Sequence, residues 1–325
     1  LRVGTPRVLL TGTVGSGKST ELHRIAEARS QVEFVVLLDL DRHFTDVVGD
    51  PAALQRVASW EVCFLVGLAL VRAAEEVLDL SFDGRKKELS EAWSKAARAS
   101  HTTDSPELDV GALARSMVVF ASSVVGAAVG ATTGVGVAAV GLSALGAVKE
   151  AGGGFKWRLP ISLARKTLPD QDEHLQNLLG VVNRILGEIQ QAHRPVLLVI
   201  DGLDRIKDVA HARLLFVESE VLARLACRLV VCGPYALRHR PELAQVRGGF
   251  RPVTLVNEPV VDQAKPWVHG PGVRVFRELF HRRTDEIAPT LQLDAVVDRL
   301  AWYSGGRARD FVRLVRMLAE QALLD

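Results

Sequence analysis

Gly12-Thr13-Val14-Gly15-Ser16-Gly17-Lys18-Ser19 spells G-x-x-x-x-G-K-S, and the flanks fit the letters. Arg7-Val8-Leu9-Leu10-Thr11 reads as a short buried strand, and Thr20 to Ala28 as the helix that follows it. A strand, a glycine-rich loop and then a helix is the arrangement that phosphate binding needs. The glycines let the backbone wrap closely and turn its N–H groups toward phosphate oxygens. The helix N-terminus adds a partial positive charge. Lys18 is the candidate for the β- and γ-phosphates, and Ser19 for a hydroxyl on Mg²⁺. Gly12, Thr13, Val14, Gly15, Ser16, Gly17, Lys18, Ser19 and Thr20 are therefore the candidate phosphate-binding residues. The plain alternative is a glycine-rich turn that binds nothing; both the spacing and the flanks weigh against it.

A second apolar run supplies the acid that this chemistry requires. Pro195-Val196-Leu197-Leu198-Val199-Ile200 reads as a buried strand ending in Asp201-Gly202-Leu203-Asp204. A carboxylate at the C-terminal end of a strand beside the loop-bearing strand can hold Mg²⁺, directly or through water. Asp201 is thus the candidate metal ligand alongside Ser19. Many buried strands end in Asp, so the pattern gains its meaning from the glycine-rich loop. Asp204 is a candidate for orienting or deprotonating an attacking water. Its plain alternatives are a pair with Arg205 or a cap on the turn. Cys232, ending the run Arg228-Leu229-Val230-Val231-Cys232, reads as a core cysteine, because a thiol is a poor hydrogen-bond donor.

Alternating buried strands and helices predict an α/β fold with a parallel five-stranded sheet covered on both faces. The five strands are Arg7–Thr11, a run centred on Val35-Val36-Leu37-Leu38, the Asp201 strand, the Cys232 strand and Pro252-Val253-Thr254-Leu255-Val256. Between them, Pro51 to Leu78, Lys86 to Ala99, Asp170 to Gln191 and Arg213 to Leu225 read as helices. Val273 to Arg282, Leu293 to Tyr303 and Ala308 to Leu324 form a strand-free helical tail. The expected division is 1–258 for the sheet domain and 259–325 for a small all-α domain. Ser304-Gly305-Gly306-Arg307-Ala308-Arg309-Asp310 opens the last helix. Arg309, and after it Arg307, are candidates to reach nucleotide phosphates. A solvated helix start, with Asp310 near the positive end of the helix, is the plain reading.

The chain has 325 residues, is 48% hydrophobic and carries a net charge of +2. That length suits one large and one smaller domain. The near-neutral charge gives no footprint for nucleic acid. Cys63, Cys227 and Cys232 have no metal or redox spacing and form no disulfide framework, which points to a reducing, cytoplasmic setting. Opening almost directly on a strand, the sequence reads as a piece of a longer protein with effector or sensor domains beyond it.

On these residues the chain resembles the AAA+/STAND group of P-loop NTPases, in which a helical lid follows a five-stranded three-layer core. Asp201-Gly202-Leu203-Asp204 is similar to the Walker B run of STAND and NACHT ATPases, and its Asp204-Arg205 end resembles KAP-type NTPases. The start of the last helix resembles the sensor 2 element of the lid. The resemblance spans Val8 to Leu324 apart from one insert. It implies ATP and Mg²⁺ as ligands, a nucleotide-dependent switch, assembly into homo-oligomers, and Lys18, Asp201, Asp204 and Arg309 as catalytic residues. Arginines that act across a subunit boundary would come from Arg238, Arg240, Arg282 or Arg283, none preferred. Asp201 lacks the adjacent Glu of actively hydrolysing AAA+ members, which implies slow turnover.

The insert, at about 109–154, holds an uncharged stretch from Ser116 to Val148. Gly126, Gly130 and Gly134 repeat at a spacing that permits close helix packing. It lies between the two halves of one site, so only an even number of membrane crossings is allowed. Two crossings need about 40 apolar residues and a turn, and the run falls short. A hairpin packed against protein is the first expectation for 116–148. Contact with the inner face of a membrane, as in KAP-type NTPases, is the second. A DNA-loading ATPase and an ATP-binding scaffold without turnover complete the alternatives.

Overall fold

Short apolar runs rich in Val, Ile and Leu become strands buried over nearly their whole length, as parallel strands covered on both faces must be. The computed structural model describes residues 6–100, 119–122, 140–141, 169–245, 249–284 and 293–322. Its strands are β1 (Arg7–Gly12), β2 (Phe34–Asp39), β3 (Val119–Ser122), β4 (Val140–Gly141), β5 (Val196–Asp201), β6 (Arg228–Cys232) and β7 (Arg251–Leu255). They form one sheet in the order β4-β3-β2-β5-β6-β1-β7. The expected five strands make its parallel body, with β2, β5, β6 and β1 paired in turn.

One expectation about this sheet is corrected. The Asp201 strand β5 is not beside the loop-bearing strand β1; β6 lies between them, with Arg7 opposite Leu229 and Leu10 opposite Cys232. Sequence order does not fix strand order: the pairing partner of β1 is decided only when the chain returns as β6.

At the other edge, β3 pairs antiparallel with β2, and β4 antiparallel with β3. These are the described pieces of the insert, and they are strands. Gly126, Gly130 and Gly134, with most of 116–148, lie outside the described residues. Among the described residues no helix is long and apolar enough to cross a membrane.

The helices that cover the sheet are α1 (Lys18–Arg29), α2 (Ser59–Leu78), α3 (Asp83–Ser100) and α4 (Pro169–Ala192). Every residue of α2 from Trp60 to Ala74 is buried, and apart from Glu61 and Arg72 the span is apolar on all sides, so this helix belongs to the interior. A Cβ built on Gly67 would stand 3.0 Å from Leu89 Cδ1 on α3 and 3.1 Å from Val182 Cγ2 on α4. The three helices meet there. Phe64 and Trp93 stack nearby, their ring centroids 5.6 Å apart.

Two helices expected from periodicity are broken by local capping. The run from Pro51 to Leu78 splits into a 3₁₀ turn, Ala53–Arg56, and α2, because Val57 and Ala58 are extended. Asp50 Oδ1 accepts from the N–H groups of Ala52 and Ala53, while the Glu61 carboxylate accepts from that of Ala58 at 2.6 Å. The run from Arg213 to Leu225 is likewise no single helix. Asp208 caps Ala210 and starts helix α5 (Val209–Arg213) early. A π turn (Leu214–Glu218) and a 3₁₀ turn (Leu222–Arg224) follow.

The described residues fall into two compact units. One holds 6–11 and 21–253, with the sheet and the helices just described. The other holds Gly12–Thr20 and 254–322. In the second, α6 (Val273–Thr284), α7 (Asp294–Tyr303) and α8 (Ala308–Ala322) enclose a separate core of Phe276, Phe280, Val297, Ala301 and Phe311. Phe276 and Phe311 are 4.9 Å apart between ring centroids. Arg277 of α6 makes a two-pronged ion pair with Asp298 of α7.

Two predictions come from the first unit. Gly67→Val should cost about 1–3 kcal/mol through overpacking and lower the melting temperature by several degrees. Glu61 is only 2% exposed, and burial pushes its carboxyl up to about 8 despite the Ala58 N–H. The folded state therefore holds this proton where the unfolded chain, near 4.3, releases it. Stability should fall as pH rises from about 4 through about 8. Denaturant melts across that range should show the decline, and Glu61→Gln should flatten it.

Candidate functional site

The glycine-rich loop gets its shape from two residues in the left-handed region, Gly15 at φ +86° and Gly17 at φ +91°. Any other residue would strain the backbone at both positions. A Cβ on Gly12 would lie 2.8 Å from the Leu255 carbonyl, so the turn is also sterically closed to a side chain there. Lys18 is buried at the start of α1, and its Nζ donates to the carbonyls of Gly12 (3.1 Å) and Thr13 (2.8 Å). Ser19 and Thr20 are exposed, as is Val14. Ser16 Oγ is buried inside the loop with no hydrogen-bond partner among the described residues.

Arg309 lies against this loop: a Cβ on Gly15 would meet Arg309 Cβ at 3.2 Å and Arg307 Cβ at 3.9 Å. The two arginines differ in their commitments. Arg307 is paired with Asp310 at 2.8 Å, whereas Arg309 is exposed and in no ion pair among the described residues. Asn257 is a residue that sequence reasoning missed. Its Oδ1 accepts from Thr13 Oγ1 at 2.8 Å. The next residue, Glu258, donates its N–H to the Gly306 carbonyl, and a Cβ on Gly306 would fall 1.9 Å from the Glu258 oxygen. The loop, the 257–258 segment and the start of α8 thus form a closed ring of contacts. The only sequence signal was a polar residue just after the fifth strand.

In the first unit, Asp201 ends β5 with 6% exposure and accepts from the Gly202 N–H at 2.7 Å. Gly202 (φ +96°) turns the chain so sharply that a Cβ would stand 2.5 Å from the Asp41 nitrogen. The 3₁₀ turn Leu203–Arg205 then brings Asp204 back beside Asp201. One carboxylate oxygen of each, with Cys232 Sγ, lie within 4.8 Å of one another. Cys232 is fully buried, as a core cysteine is, yet its sulfur faces this cluster. Arg205 pairs with Asp41 at 3.2 Å.

Asp39 is the second residue missed. It ends β2 in register with Asp201 on the neighbouring parallel strand. Burial holds its carboxyl above the ordinary aspartate value; the Arg42 N–H opposes this and the Asp201 charge adds to it. The sequence run Asp39-Leu40-Asp41-Arg42 gave no hint of which strand it would join.

The four candidates for action across subunits separate. Arg238 stacks over the Tyr235 ring at 4.2 Å, and Arg282 pairs with Glu278 at 2.5 Å. Arg240 is half-buried and Arg283 exposed.

Compared with protein-family models, curated proteins and solved structures, the chain gives no match.

The sign at Asp39 gives a test. A carboxyl held above its unfolded value near 3.9 costs stability once pH rises past that value. Asp39→Asn keeps the oxygen that accepts from Arg42. In metal-free buffer it should raise the melting temperature at pH 7 and bring no gain near pH 3. A variant melting at or below wild type at pH 7 would show that Asp39 is held ionised by attraction.

Proposed function

We propose that the chain is an ATP-binding P-loop ATPase of the AAA+/STAND kind, a nucleotide-dependent switch with slow turnover. The observation that carries this reading is the loop Gly12–Ser19, with left-handed Gly15 and Gly17, between β1 and α1. The sheet supports it. Without the inserted β3 and β4, the order is β2-β5-β6-β1-β7, with one strand between the loop-bearing β1 and the acid-bearing β5. β1, β6, β5 and β2 are parallel, so β1 leaves the sheet toward the loop at the same edge where Asp201 and Asp39 stand. Within the second unit the orphaned Ser16 hydroxyl and the buried Lys18 suit a phosphate, and within the first the paired Asp201 and Asp204 carboxylates suit a divalent cation.

In this reading Mg-ATP supplies the phosphoryl group and the metal charge that spreads over its oxygens. Lys18 and the loop N–H groups would hold the phosphates, and Ser19 and Asp201 would hold the metal. Asp204 orients the attacking water and accepts its proton. Arg309 reports the γ-phosphate to the helical lid formed by α6, α7 and α8, through its place against Gly15. Nucleotide state then controls assembly with further copies of the chain. No observation among the described residues favours the membrane-anchored or DNA-loading alternatives.

ATP hydrolysis measured against protein concentration tests the reading. Turnover per subunit should climb with concentration and vanish in Lys18→Ala and Asp201→Ala. ATP bound without turnover at any concentration would make the protein a locked switch and remove the role given to Asp204. Wild-type protein that fails to bind ATP would overturn the reading.

A further inference from the structure

The second unit carries a cavity of about 550 Å³ remote in sequence from the glycine-rich loop. Its wall is a stripe along α7, with Asp298, Arg299 and Trp302 at the spacing of one helical face, followed by Tyr303. The loop that carries Trp267 and His269 closes the side. Its size falls in the range of small-ligand sites.

Aromatic surface is concentrated here. Trp267 is 80% exposed and Tyr303 64%, in a chain with only five tryptophans and two tyrosines. The Trp302 and Tyr303 rings stand at 76° with centroids 5.3 Å apart, making a corner that offers a flat face and an edge. Trp267 is held out by a tightly bonded loop. Asp262 Oδ1 accepts from the N–H groups of Ala264 and Lys265, Asp262 N–H donates to the Val268 carbonyl, and Val261 bridges His269. A loop held in this way presents the indole to solvent without further ordering of the backbone.

The charges decide what can enter. Asp298 would favour a cation, but Arg277 takes both of its oxygens, and His269 Nδ1 lies 3.6 Å from Oδ2. Asp294, at the start of the same helix, is committed to His281 and Arg277. Arg299 is in no ion pair among the described residues and is exposed at the cavity. The uncommitted charge is therefore positive, beside three aromatic rings that stack on any planar π-system.

We infer that this cavity is a second binding site, for a planar base bearing a phosphate, with the base stacked in the Trp267–Trp302–Tyr303 corner and the phosphate on Arg299. The ligand chemistry is shared by a free nucleotide and by a single nucleic-acid strand. The site does not depend on the ATPase reading.

Calorimetric titration of Lys18→Ala protein separates this site from the glycine-rich loop. AMP is the first ligand, since it lacks the β- and γ-phosphates that Lys18 would hold. It should bind with one site per chain, and at least tenfold more tightly than adenosine or ribose 5-phosphate. Arg299→Glu and Trp267→Ala, both at exposed positions, should each weaken it at least tenfold without changing the melting temperature. They should leave unchanged the part of ATP binding that Lys18→Ala removes. A short oligodeoxyadenylate binding more tightly than AMP, with the same losses, would make a strand the ligand. AMP binding that is absent, or equal in both variants and the parent, would overturn the inference.

Discussion

Parallel pairing is the constraint from which the rest of the first unit follows. Because β2, β5, β6 and β1 run the same way, each leaves the sheet at one common edge. Whatever polar residue ends a strand is delivered there: Asp39 from β2, Asp201 from β5, Cys232 from β6. The pairing also demands covered faces, since such a sheet exposes no polar side to water. Hence the wholly buried α2 and the close approach at Gly67, where α3 and α4 share its surface. Two carboxylates on adjacent strands at matched register repel one another. That repulsion adds to the larger effect of burial on Asp39.

The second unit is organised by glycine backbone instead. Gly12, Gly15 and Gly306 each occupy a place where a Cβ would collide or crowd, and each collision names a neighbour: Leu255, Arg309, Glu258. With the Thr13–Asn257 hydrogen bond, these contacts tie the glycine-rich loop to the start of α8 within one unit. A displacement of the loop is therefore felt at Arg307 and Arg309 through contact, with no long pathway to invoke.

The legible part of the chain was the part written in short-range patterns. Buried strands such as Val196–Asp201 and Arg228–Cys232 announce themselves as apolar runs, and the glycine-rich loop by its spacing. The helices of the second unit were readable from periodicity to within about two residues, as expected for element ends. What escaped were relations between distant segments. Nothing in Asp39-Leu40-Asp41-Arg42 says that β2 will pair with β5, and nothing near Asn257 says that Thr13 will be its partner. Side-chain caps at Asp50, Glu61 and Asp208 broke helices that periodicity alone would continue. The strands β3 and β4 were hidden because four and two residues are too few to show a strand period.

The edges of the sheet have a bearing on how copies of this protein can meet. β7 ends the strand order on one side, and it carries Pro252, which has no N–H to offer a partner strand. Arg251 beside it is exposed and charged. On the other side the terminal strand among the described residues, β4, is two residues long. Both are the devices by which natural sheets discourage strand-to-strand addition. Where the described edges are concerned, contact between copies would rest on side-chain surfaces, which can be released and remade, in place of a continuous sheet, which cannot readily come apart.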